Sequence, residues 1–95
     1  MKLFQHSQGF IFSIGFDPIH RIPTPNLISW CDPLSKEWDV KPTNQAGTMT
    51  VPFDLDPDFV RECGNKVIIH QDRKCIEMEF IGPPYIFNLT VLHAD

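Results

Sequence analysis

The chain is predicted to be mostly β: a small antiparallel β-sandwich or partly open barrel of six to seven strands with one short α-helix. Three observations lead there. Apolar residues recur at period two in several short runs, turn-forming residues separate those runs, and only one stretch carries both helix-start and helix-stop residues. At 95 residues the chain is expected to form a single domain, 1–95, around one modest core.

The clearest alternation is "FIFSIGF", residues 10–16, which sets Phe10, Phe12, Ile14 and Phe16 against Ile11, Ser13 and Gly15. Pro18, Pro23 and Pro25 follow closely. They lack a donor for a ladder and restrict the residues before them, so 17–25 is predicted to be a loop. "NLISWC" then reads as a strand, "DPLS" as a type I turn with Asp32 first and Pro33 second, and "KEWDV" as the returning strand of a hairpin. "KPTNQAG" is polar and turn-rich. "TMTVPF" resumes alternation, with Pro52 favouring a sheet edge.

"DPDFVRECG", residues 56–64, supplies the helix: Asp56 as N-cap, Pro57 at the first helical position and Gly64 as the stop, with Phe59, Val60 and Cys63 sharing the core face. The last third is a meander. "KVIIHQ" turns through "DR" into "CIEMEFI", where Ile76, Met78 and Phe80 oppose Glu77 and Glu79, and "GPP" turns into "YIFNLTVLH". The order of the strands within sheets does not follow from these patterns.

Composition excludes several functions. Twelve acidic residues against eight Lys and Arg give a net charge of −4 without a basic block, so nucleic acid is not an expected partner. "QGFIFSIGF" shares a glycine and alternating aromatics with the RNA-recognition pattern, but Gln8 stands where that pattern has a basic residue. No apolar run approaches the roughly 20 residues needed to cross a bilayer, and the first residues lack the apolar stretch of a signal peptide. The expectation is a cytoplasmic protein that does not engage membrane. In a reducing compartment Cys31, Cys63 and Cys75 would remain thiols, and the sequon Asn88-Leu89-Thr90 would stay unmodified.

Residues with reactive or ligating side chains form no decisive pattern. Metal binding would draw on Cys63, His70 and Cys75, with His70 and Cys75 as cross-strand neighbours, but close ligand pairs such as CxxC or HxxxH are missing. A thiol nucleophile would be Cys31 with His20 as its base, although spacing does not place them together. Glu77 and Glu79 share a strand face, the ordinary pattern of a solvated side. Asp54, Asp56 and Asp58 lack the glycine and the glutamate of a calcium loop.

The aromatic residues carry the most weight. A three-residue loop in the 26–38 hairpin would set Trp30 opposite Trp38 on one face, whereas a two- or four-residue loop would send the indoles to opposite faces and leave one outside the core. Exposed aromatic residues anchor protein interfaces. The sequence therefore supports a small non-catalytic protein-interaction or structural module, self-associating as a homodimer through exposed aromatic residues and a strand edge. Trp30, Trp38 and Tyr85 are its candidate binding residues, and no catalytic residue, metal ligand or cofactor is assigned. The alternative is a ligand- or metal-binding protein, or a small enzyme, with a pocket near the 17–25 loop.

Overall fold

The computed structural model describes residues 3–71, 73–81 and 87–93. Four strands, β1 (Leu3–Gln5), β2 (Ile11–Asp17), β3 (Ile22–Trp30) and β4 (Gly47–Thr50), form one sheet in chain order. Four more, β5 (Val60–Cys63), β6 (Lys66–Gln71), β7 (Lys74–Phe80) and β8 (Phe87–His93), form the second, also in chain order. Every pairing is antiparallel. Among the described residues there is no helix and neither sheet closes into a barrel.

Alternation decides which faces are buried. In the first sheet Phe4, Phe12, Trp30 and Gly47 form one cross-strand row and Ile14, Ile28 and Met49 the next. In the second, Val67, Met78 and Leu89 align, as do Ile69, Ile76 and Val91. Residues of both sheets join one apolar cluster, in which Phe87 of β8 lies 5.0 Å from Trp30 of β3 and 5.2 Å from Phe12 of β2. Phe10 adds an edge-on contact with Phe87 at 5.3 Å. Full burial of each such side chain stabilises the fold by about 1.5–3 kcal/mol. Phe10 and Phe12 are thus committed to the core rather than displayed as a base-stacking surface.

The structure corrects four expectations. Residues 56–64 make a turn and a strand, not a helix. The Asp56 carboxylate accepts the Asp58 N–H at 2.9 Å, as a cap would, but the chain then extends into β5 and pairs with β6. Gly64, at φ 64°, is the first central residue of a two-residue turn between Cys63 and Lys66, with Asn65 outside the positive-φ region, as in a type II′ turn. Cys63 consequently lies exposed on an edge strand instead of facing the core.

"KEWDV" is not a strand, and β3 takes β4 as its second neighbour. β3 also begins earlier than expected, so Pro23 and Pro25 lie within it. They are accommodated because Gly15, at φ 74°, breaks the register: Ile14 pairs with Ile28 but Phe16 with Pro23. Finally, the described residues form eight strands instead of six to seven.

Candidate functional site

Trp30 belongs to the core. It is 9% exposed, packs on Phe87 and lies directly over Gly47, where an added Cβ would collide with the indole ring. Trp38 takes the other course. It is half-buried in the irregular segment between β3 and β4, lining a concavity of about 400 Å³ with Phe16, Pro18 and Arg21. A neighbouring hollow adds Ile19, Glu37, Asp39 and Lys41, and Ile19 is 47% exposed. Tyr85 lies outside the described residues.

Two loops of the same design bring this surface together. "DPIHR", residues 17–21, and "DPLSK", residues 32–36, each begin with Asp-Pro and end on a basic residue in the left-handed region, Arg21 at φ 58° and Lys36 at φ 59°. In the first, the Asp17 carboxylate accepts the Ile19 N–H and its carbonyl the Arg21 N–H. In the second, the Asp32 carboxylate accepts the Leu34 N–H and its carbonyl the Lys36 N–H, while the Asp32 N–H reaches the Glu37 carbonyl at 2.9 Å. Asp sets the turn and Pro fixes its second residue. The loop of residues 33–36 opposes Asp32 to Glu37, a register that carries Trp38 away from Trp30.

The polar groups around this surface are engaged locally. His20 Nδ1 lies 2.8 Å from Asp17 Oδ2, and this contact is the main reason the Asp17 carboxyl titrates below its usual range. Glu37 pairs with Lys41 at 3.1 Å. Asp32 is buried and also accepts the Gln45 N–H, so its carboxyl too is held low, chiefly by the Leu34 N–H. Beside it, burial pushes the Cys31 thiol up, and the nearby Asp32 charge adds to that. A thiol in that state is a poor nucleophile. Its hydrogen bond goes to the Asp32 carbonyl and His20 is occupied by Asp17, so the suggested Cys31–His20 pairing is not formed.

A second polar cluster joins the two sheets and has no signal in the sequence. Glu62 of β5 accepts both the N–H, at 2.8 Å, and the hydroxyl of Ser7 through Oε1. Its carboxyl is held below the usual range by Ser7 first of all. Buried His6 stacks on Phe10, accepts the Gln8 N–H at Nδ1, and brings Nε2 within 2.9 Å of the same oxygen, off the line of a hydrogen bond. Ser, His and Glu are adjacent here, but Ser7 gives its proton to the carboxylate and not to the imidazole, so no nucleophile is activated. The cluster is a clamp between the β1–β2 turn and β5.

His70 and Cys75 are cross-strand neighbours, as expected, while Cys63 pairs with Lys66 at the other end of β6. Among the described residues no three His, Cys, Asp or Glu side chains group to hold a metal ion. Glu77 and Glu79 stand opposite the core residues Ile76 and Met78, and Glu77 bonds Lys66 at 2.6 Å. No helix among the described residues is long and apolar enough to cross a membrane. Comparison of the chain with protein-family models, curated proteins and solved structures finds no match.

Proposed function

We propose that this chain is a small non-catalytic protein-interaction module, built as a β-sandwich and using the surface around Trp38 to hold an extended segment of a protein partner. The observation that carries the reading is the half-exposed Trp38 beside Phe16, Pro18 and Ile19. Aromatic and proline side chains that line a hollow offer apolar contact at small entropic cost, which suits an extended peptide.

The backbone adds support. A left-handed residue costs about 1–2 kcal/mol when it bears a side chain, and glycine would relieve that at position 21. Arg21 lines the hollow instead, and because Lys36 takes the same conformation in the sister turn, the backbone is set by the turn, which places a long basic side chain at the edge of the hollow. The ligand-binding alternative draws on the same hollow near the 17–25 loop. It is the weaker reading because the neighbouring carboxylates Asp17 and Glu37 are satisfied by His20 and Lys41 rather than converging on the space.

Selection from a random peptide library on the intact chain tests the proposal. Peptides sharing a consensus, binding the wild type and losing at least tenfold in affinity to Trp38→Ala and Arg21→Gly, both still folded, are the expected result. Selection without a consensus, or binding indifferent to both substitutions, would overturn it.

A further inference from the structure

We infer that β8 is a self-pairing edge, through which two copies of the chain join antiparallel about a two-fold axis at Thr90. This goes beyond the Trp38 surface, since it concerns a different edge of the molecule and names a second copy as the partner. The two sheets present four edges, and three carry a feature that discourages pairing. β1 is only three residues long. β4 has four residues and runs towards Pro52. β5 bears Arg61 and Glu62, and Glu62 is held by the Ser7 turn. β8, "FNLTVLH", has seven residues with no Lys, Arg, Asp, Glu or Pro.

Its sequence is compatible with its own reversal. Full overlap of residues 87–93 with a second copy sets Thr90 opposite Thr90, Leu89 opposite Val91 and Asn88 opposite Leu92, because facing residues in an antiparallel pair have a constant index sum. Leu89 and Val91, each half-buried at the rim of the core, would then continue the apolar row across the junction. Leu92, 43% exposed on the opposite face, would gain a neighbour. On β7, Lys74, Glu77 and Glu79 are the partners of His93, Thr90 and Asn88, and of these only Glu77 would meet its own counterpart in register. It would face its counterpart across three strand spacings, about 14 Å, beyond the screening length of about 8 Å at physiological salt. Repulsion between these two carboxylates is therefore weak.

The test is sedimentation equilibrium from roughly 10 µM to 1 mM, the range where a contact of this size should associate. The wild type should dimerise. Thr90→Lys and Thr90→Glu should each be monomeric, since either places like charges face to face, and an equimolar mixture of the two should restore the dimer. Hydrogen exchange on the wild type supplies a readout independent of variants: β8 amides should gain protection as concentration rises. A wild type monomeric throughout, or a dimer unaffected by Thr90→Lys, would overturn the inference. If that unaffected dimer were lost in Trp38→Ala, the interaction reading would stand while edge pairing fell. Failure of the peptide selection beside a Thr90-dependent dimer would do the opposite, keeping edge pairing and removing the Trp38 surface as a peptide site.

Discussion

Gly47 and Trp30 show how much a single residue can decide. The indole occupies the space a side chain at position 47 would need, and Phe87 packs against the same indole at 5.0 Å. Gly47→Ala should therefore cost about 2–3 kcal/mol, near the top of the usual range for overpacking. Urea denaturation would read this as a lower midpoint with an unchanged slope, and a loss below about 0.5 kcal/mol, the spread of ordinary surface changes, would disprove the contact. Asp32 gives a pH-dependent counterpart. Its carboxyl is held low in the fold, so its contribution is fully present above the ordinary carboxylate value of about 3.9 and fades as pH falls through the folded-state value. Asp32→Asn should flatten that part of the acid-stability profile. The residue pattern announced a turn at Asp32 and Pro33. It did not disclose that the carboxylate also reaches Gln45, because that bond depends on where a later loop returns.

At the scale of elements, β5 is the instructive case. An Asp-Pro-Asp start and a Gly end describe a helix and a turn-strand-turn equally well over so few residues. The deciding signal was "CGNK" between two runs containing Val60 and Val67, a two-residue hairpin loop with Gly first. β2 and β7 were legible because large apolar residues recur at every second position along them, Phe12, Ile14 and Phe16 in one and Ile76, Met78 and Phe80 in the other. The clamp that holds β5 was not, since Ser7 and Glu62 are far apart in the chain. Glu62→Gln should leave β6 and β7 protected from hydrogen exchange but speed exchange in β5, with the largest contrast near neutral pH. Its stabilising part is likewise lost in acid as the carboxylate takes up a proton. Equal exchange in the two proteins would mean that the clamp is not formed in solution.

For the whole molecule, the accessible area of 5744 Å² is close to the roughly 5600 Å² expected for a folded monomer of this mass. A β8 dimer, made by a single added strand pairing, would be weak and concentration-dependent. Sequence could fix the β class and the existence of a modest core. It could not order the strands, since alternation identifies a strand without naming its neighbour. It named Trp38 and the 17–25 loop separately but could not bring them together, because their meeting depends on two turn loops lying side by side.

The sequential order of strands has one more outcome. Each sheet is a meander made from one half of the chain, and only the segment between β4 and β5 passes from one to the other. No ladder hydrogen bond would be severed by a cut there, beside the exposed Asp54. The nicked protein should elute as one species in gel filtration under native conditions and separate in denaturant. Expressed apart, the two pieces would be complementing fragments, and tethering each to a different protein would turn the meeting of those proteins into the recovery of a folded core.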